Sequence, residues 1–292
     1  GIFVAAGAAD AEVRHVAIVF QDIFETTEPP YVDVLRGVDR AVAAAGLQMH
    51  LFPLRDGGVT ALQEHHPLIS LIRHRRIHAA LCLSADPPAL VERLCGSGIP
   101  VVTVGNRYPR AGAGCVTFDT QQIARLVAQH LLDARGHRDL RLILGPQADS
   151  ARLVRPSNEL GPALAAEAAA RGLPLPRGAT VHCDYTLRSV QPVLYRWLDA
   201  ADAPLAIFVS DGRLARDVVR LSEQVCPDPA RRPYVVGLAS ESEEADFPHV
   251  EVPLAAIGTK AIALVDDMIA GSGPRTETLT SRLILPASRP AG

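Results

Sequence analysis

Residues 205–211 read LAIFVSD, and the rest of the chain repeats the pattern of this stretch. Its apolar run shows no alternation of polar and apolar residues, which is typical of a parallel strand that helices cover on both faces. The run stops at Ser210 and Asp211, and a helical stretch follows. Asp211 either caps that helix or faces a ligand, and its position alone leaves both roles open. The stretch predicts one β–α unit of an open parallel sheet.

Short apolar runs and longer helical stretches alternate along the whole chain. The first helical stretch carries an apolar stripe, Leu35, Val38 and Val42, and Gly46 stands where a left-handed cap would end it. The runs form two series, which predict two similar lobes with residues 101–119 as a crossing between them. The predicted strands span residues 16–20, 49–54, 79–84 and 101–105, followed by 140–145, 179–183, 205–210 and 234–238.

Composition limits the classes of function. The chain has 292 residues, 48% of them hydrophobic, so it can bury the cores of two lobes. The net charge of −3 gives no cationic field, which argues against DNA capture by this segment alone. No apolar run reaches the roughly 18 residues of a membrane span, and the first residues do not resemble an export signal. The five cysteines are scattered along the chain and odd in number, which predicts buried thiols in a reducing cytoplasm and not a set of disulfides. They are Cys82, Cys95, Cys115, Cys183 and Cys226.

Polar residues follow several predicted strands, where ligands collect in open parallel sheets. A carboxylate such as Asp211 together with a guanidinium such as Arg155 suits vicinal hydroxyls. Tyr31 or Tyr185 would stack on the apolar face of a sugar ring. The alternatives without ligand binding are helix caps for Asp211 and Ser84 and a surface position for Arg155. The candidates at strand ends are Asp22, Ser84, Asn106, Arg107, Asp184, Tyr185, Ser210 and Asp211.

Signatures of catalysis and of metal binding are weak. The chain shows no G-x-S-x-G elbow, no Walker loop and no G-x-G-x-x-G after a strand, so we expect neither an enzyme nor a cofactor. His65 with His66, or His74 with His78, could ligate a metal, but arginines surround the second pair and we expect no metal site. The acidic loop 239–248 is either a solvated loop or a rim over a cleft.

Nearly the whole chain, from Val16 to Pro286, resembles the effector-binding domain of LacI/GalR-type transcription regulators. The resemblance rests on the order and spacing of seven segments. It implies an α/β fold of two Rossmann-like lobes with parallel sheets, periplasmic binding protein type I-like, with three crossovers, and a side-by-side homodimer. The segments are VAIVFQDI (16–23), PPYVDVLRGV (29–38), GIPVVTVGNR (98–107), VTFDT (116–120) continued by ARLVAQHLLDARGHRDLRLILGP (124–146), PLAIFVSDGRLA (204–215), PYVVGL (233–238) and IGTKAIALVDDMI (257–269).

The resemblance also implies lobe boundaries and site residues. The N-terminal lobe would hold residues 14–118 and 252–273, and the C-terminal lobe residues 119–250 and 275–290. Asp211 matches the acid that holds ligand hydroxyls, Arg155 the arginine after the Gly-Pro turn, and Tyr185 the ring-packing aromatic. The chain departs from the family at Ser210, at Gly105-Asn106 and at Asn158-Glu159. The implied effector-binding residues are Tyr31, Ser84, Asn106, Arg155, Tyr185 and Asp211.

The first residues, GIFVA, resemble the last wing strand of a GntR-type winged helix. Residues 1–13 would then be the remnant of a linker to a DNA-binding domain outside this chain. We therefore expect the sensor of a cytoplasmic repressor-type regulator, with a sugar-like effector and DNA as partners and no membrane contact. The alternatives are a periplasmic solute-binding protein of a sugar transporter and an enzyme on a doubly wound fold.

Overall fold

Two six-stranded sheets organise the chain in a computed structural model that describes residues 14–20, 29–54, 67–83, 88–147, 152–243 and 245–286. Every predicted run forms a strand, because each pairs in parallel with a neighbour and is covered by helices. The strands are β1 (His15–Phe20), β2 (Gln48–Pro53), β3 (Ala79–Cys82), β4 (Val101–Val104), β5 (Gly114–Phe118), β6 (Leu140–Leu144), β7 (Thr180–His182), β8 (Ala206–Val209), β9 (Tyr234–Ser240), β10 (His249–Val252), β11 (Thr276–Leu279) and β12 (Arg282–Ile284).

The sheets define two lobes. The first sheet runs β11-β5-β4-β3-β1-β2 and the second β12-β10-β9-β8-β6-β7, and of these pairs only β10 with β12 is antiparallel. The helices that cover them are α1 (Pro29–Ala44), α2 (Pro67–Arg73), α3 (Pro88–Gly96), α4 (Thr120–Ala128), α5 (Pro156–Ala170), α6 (Leu187–Asp199), α7 (Gly212–Val225) and α8 (Leu254–Ile269). The predicted α/β architecture is confirmed.

The chain crosses between the sheets three times. It leaves the first sheet after β5, returns after β10 through α8, and crosses again between β11 and β12. The C-terminal lobe is expected to resume at residue 275, but in the structure it resumes only after β11. Thr276–Leu279 extends the first sheet, because it runs parallel to β5 with Thr276 beside Cys115, and only residues from β12 onward pair in the second sheet.

Glycines allow α1 and α8 to pack backbone against backbone over the first sheet. A Cβ on Gly37 would lie 1.9 Å from the Ala255 carbonyl oxygen, and one on Gly258 would lie 2.1 Å from that of Val34. Gly46 adopts φ +63° at the end of α1, as a left-handed cap requires. The close helix pair places residues of both helices beside the second lobe.

Candidate functional site

A cavity of about 440 Å³ lies between the carboxyl edges of the two sheets. Of the six predicted site residues, five line it, and Ser84 lies outside the described residues, as does Asp22. Because the parallel strands of both lobes end at this gap, residues far apart in sequence meet there. The five are Tyr31, Asn106, Arg155, Tyr185 and Asp211.

Of the two roles that the sequence left open for Asp211, the structure shows the helix cap, and it places the residue at the cavity. It follows β8 as the N-cap of α7, and one carboxylate oxygen accepts a hydrogen bond from the Leu214 amide at 2.7 Å. The residue also lines the cavity. The cap therefore fixes a carboxylate in place at the wall of the cleft, which keeps its geometry independent of any ligand.

Arg155 lies at the start of α5 and lines the same cavity. Its extended backbone, at φ −92° and ψ 152°, precedes Pro156, whose fixed φ suits the first helical position. The Asn158 side chain accepts a hydrogen bond from the Arg155 amide at 3.3 Å. The helix start thus brings the guanidinium to the cleft instead of the surface position that the sequence also allowed.

Tyr185 has an unusual backbone and a tight ring contact. Its φ is +63°, a left-handed value that is uncommon for a residue other than glycine. The ring lies so close to Gly145 that a Cβ there would be 1.8 Å from the phenol oxygen. Burial of the hydroxyl, reinforced by the charge of Asp211, raises the pKa of Tyr185 to about 12. The phenol is therefore neutral at physiological pH and available as a hydrogen-bond donor.

Tyr31 and Asn106 belong to the first lobe. Tyr31 lies in the first turn of α1, and Asn106 follows Gly105, which adopts φ +76° at the end of β4. The Asn106 carbonyl accepts a hydrogen bond from the Thr103 hydroxyl at 2.7 Å, and its amide donates to the Val104 carbonyl at 2.9 Å. Both bonds fix the turn that carries Asn106 at the cavity.

Sequence reasoning missed Glu243, which also lines the cavity. Glu243 belongs to the acidic loop 239–248. Its position agrees with the second of the two interpretations of that loop, a rim over a cleft. The available signal was the position of the loop directly after β9, but only the folded loop shows which of its acids turns inward. Glu241, by contrast, is exposed and accepts a hydrogen bond from the Ala255 amide at 3.0 Å.

Polar contacts join the two lobes around the cavity. Asp33 of α1 is fully buried, and its carboxylate accepts a hydrogen bond from the Ser242 hydroxyl of the second lobe at 2.6 Å. Arg107 forms an ion pair with Glu159, one of the residues at which the chain departs from the LacI/GalR pattern. These contacts hold the lobes together on two sides of the gap.

A short segment of the second lobe reaches into the first. Backbone hydrogen bonds of 2.9 Å run in both directions between Arg107 and Val154, and Arg152 pairs with Glu92 of α3. Between them, Leu153 is 6% exposed and packs in the core of the first lobe. The lobes are thus anchored to each other beside Arg155.

The histidine pair considered as a metal site has other contacts. The His78 Nδ1 accepts a hydrogen bond from the His15 amide at 3.0 Å, and the two rings stack. His65 and His66 lie outside the described residues. Within the described ranges, no three His, Cys, Asp or Glu side chains are arranged to hold a metal ion, and no helix is long and apolar enough to span a membrane.

Comparisons with known proteins agree with this architecture. No curated protein sequence matches the chain. A complex of the transcriptional regulator CelR with cellobiose is 24% identical, with a TM-score of 0.77 over 94% of this chain and 84% of that one. A regulatory protein of the LacI family from Chloroflexus aggregans is 20% identical, with a TM-score of 0.77 and coverage of 94% and 98%. The LacI family regulator CCPA from Weissella paramesenteroides, solved with bound sucrose, is 12% identical, with a TM-score of 0.72 and coverage of 92% and 96%.

Sequence similarity gives the family directly. A family model described as periplasmic binding proteins and sugar binding domain of LacI family matches residues 15–168, just over half of the 292 residues. The matched range contains the first sheet up to β5 and continues into α5 of the second lobe. The chain therefore belongs to the family of periplasmic binding proteins and sugar-binding domains of LacI-type regulators.

Proposed function

We propose that this chain is the effector-sensing part of a bacterial transcription regulator. Its lobes close on a small sugar or related polyol, and the closure changes DNA binding by a head domain that is not among these residues. The observation that carries the proposal is the cavity between the lobes, where Asp211, Arg155 and Tyr185 come together. Each of the three belongs to a different element of the second lobe, and Tyr31 and Asn106 face them from the first.

The chemistry of the cavity suits a sugar. The Asp211 carboxylate accepts hydrogen bonds from hydroxyls, and the Arg155 guanidinium donates in a fixed fork. Tyrosine rings offer apolar faces on which the C–H face of a pyranose stacks. The volume of about 440 Å³ lies within the usual range for small-molecule sites.

The interlobe contacts support a switching mechanism. An effector shifts the equilibrium between open and closed forms only as far as it binds the closed form better. Such coupling typically amounts to about 1 to 3 kcal/mol. The hydrogen bond between Asp33 and Ser242 and the ion pair between Arg107 and Glu159 join the lobes in this structure, and opening would break them.

Relatives favour a regulator over a transporter protein. Two of the solved structures compared above are named as transcriptional regulators, with cellobiose or sucrose bound, and the third is named as a regulatory protein of the LacI family. The cysteines are free thiols, and Cys82, Cys115 and Cys183 are buried, which suits a reducing compartment. We further propose a cytoplasmic homodimer without enzymatic activity. A transporter-linked binding protein remains the alternative, because the family includes periplasmic proteins.

A thermal-shift screen of sugars, sugar phosphates, polyols and nucleosides against this chain tests the proposal. A true effector at 100 times its Kd stabilises the protein by about 2.7 kcal/mol. We expect Asp211→Ala and Arg155→Ala each to abolish this stabilisation. Undiminished stabilisation in both variants would contradict the assignment of the site.

Asp119→Ala is the matched control for Asp211→Ala. Asp119 caps α4 through the Gln122 amide at 2.9 Å, as Asp211 caps α7, but it does not line the cavity. Both variants lose a helix cap, which costs about 1 kcal/mol. Only Asp211→Ala is expected to lose the effector, so the control separates binding from stability.

A further inference from the structure

Glu243 is placed against the first residue of α7. The carboxylate lies over Gly212, where a Cβ would be 2.2 Å from Oε2 and 2.7 Å from the Leu238 carbonyl oxygen. Asp211 immediately precedes this glycine and caps the same helix. Two carboxylates therefore occupy the N-terminal end of α7, on the wall of the cavity.

The hydrogen bonds of Glu243 are incomplete. Among the described residues, Oε2 is buried and has no hydrogen-bond partner, while Oε1 lies 3.5 Å from the Ser240 hydroxyl. Burial raises the pKa of Glu243, and the charge of Asp211 raises it further, whereas Arg216 of α7 acts in the opposite direction. A buried carboxylate oxygen without a donor is costly, and at the wall of a cavity a ligand hydroxyl can supply that donor.

The position also bears on the charge of the ligand. A helix N-terminus with open amides attracts phosphate. At α7 this end already holds Asp211 in the cap and Glu243 over Gly212. The two carboxylates balance the guanidinium groups of Arg155 and Arg213, which line the same cavity, so a phosphorylated or carboxylated ligand at the α7 end would bring an extra negative charge, whereas a neutral polyol would bring hydroxyl donors.

We propose that Glu243 is an effector-binding residue that accepts a hydroxyl hydrogen bond beside Asp211 and restricts the site to unphosphorylated, hydroxyl-rich effectors. The inference rests on the function proposed above and specifies its ligand class. It assigns to the acidic loop a role in ligand recognition, because closure of the lobes brings this loop and α1 together through Ser242 and Asp33.

Glu243→Gln tests the inference in the whole chain. The probes are a panel of neutral sugars, including glucose, cellobiose and sucrose, together with glucose 6-phosphate. Loss of a charge-assisted hydrogen bond should weaken binding of the best neutral sugar about 10- to 100-fold by calorimetry. We expect the wild type to bind glucose 6-phosphate more weakly than glucose. The ratio of the two Kd values should be smaller in the variant. An unchanged Kd for the neutral sugar in Glu243→Gln would overturn the inference.

Glu241→Gln is the control, since Glu241 lies in the same loop outside the cavity and glutamine keeps an oxygen that accepts the hydrogen bond from the Ala255 amide, so the Kd should stay unchanged. A second readout needs no ligand. Because Glu243→Gln removes a buried charge beside Asp211, it should raise the Tm of the empty protein, and a lowered Tm would show a structural role and overturn the inference. Failure of the wild type to bind any sugar removes the proposed function and this inference together. Sugar binding that Asp211→Asn weakens and Glu243→Gln leaves intact removes this inference alone.

Discussion

The contact between Gly145 and Tyr185 permits a sharp test of the aromatic wall. A Cβ on Gly145 would lie 1.8 Å from the phenol oxygen and 2.2 Å from Cζ of Tyr185. Ordinary carbon contacts begin near 3.4 Å, so the ring in Gly145→Ala must move by about 1.6 Å, the difference between 3.4 and 1.8 Å. Gly145 has no positive φ, and alanine therefore fits its backbone without strain. The three atoms nearest to such a Cβ all belong to the Tyr185 side chain, so the ring is the first group that the substitution displaces.

The expected effect is large on binding and small on stability. Replacing glycine by alanine at a compatible φ stabilises a protein by about 0.4 to 1 kcal/mol, and this offsets the lost packing of a ring that is already 37% exposed. Displacing the ring from the ligand should cost about 1 to 2 kcal/mol, or roughly 5- to 30-fold in Kd. Calorimetry with the sugar found by the thermal-shift screen measures the loss.

A double-mutant cycle identifies the cause. In a Tyr185→Ala background, Gly145→Ala has no ring to displace, so it should weaken binding no further. Gly273→Ala is the control, because a Cβ there meets no atom within 4 Å. Full additivity of Gly145→Ala and Tyr185→Ala, or wild-type affinity in Gly145→Ala, would refute the reasoning.

Two other substitutions test the scaffold. Gly258→Ala places a Cβ 2.1 Å from a backbone oxygen of α1, which cannot rotate away. We therefore expect the free energy of unfolding, measured in urea, to fall by about 1 to 3 kcal/mol or more. A stability equal to that of the wild type would contradict the close packing of the two helices. Asp33→Ala removes the acceptor of the interlobe bond from Ser242, so the empty protein should open further and show a larger radius of gyration in X-ray scattering. Unchanged scattering together with unchanged effector affinity would argue that this bond does not hold the lobes closed.

Much of the architecture could be predicted because it depends on local pattern. Runs such as residues 205–209 are apolar throughout, so they fit only strands that are covered on both faces. Once strands and their direction are known, residues at the carboxyl ends of different strands must share one edge. That reasoning was sufficient to bring Asn106, Tyr185 and Asp211 to a single cavity.

The remaining features depend on contacts between distant segments. The sequence around Glu243 is a run of acids, and no periodicity distinguishes the one that turns inward from exposed Glu241. Thr276–Leu279 and Arg282–Ile284 are two short strands separated by two residues, and they join different sheets. Their assignment follows from the open edges beside β5 and β10, which are visible only after the sheets have formed. Arg107 and Glu159 likewise meet only because the lobes face each other.

Leu153 limits how the two lobes can move relative to each other. Its side chain belongs to the second lobe but lies in the first lobe's core, and withdrawing such a group into water costs about 1.5 to 3 kcal/mol. We expect opening to keep this side chain in place and to move Asp211 away from Tyr31 of the other lobe. Arg155, two residues from Leu153, should then move least, so that the ligand meets the guanidinium first and the carboxylates of Asp211 and Glu243 last.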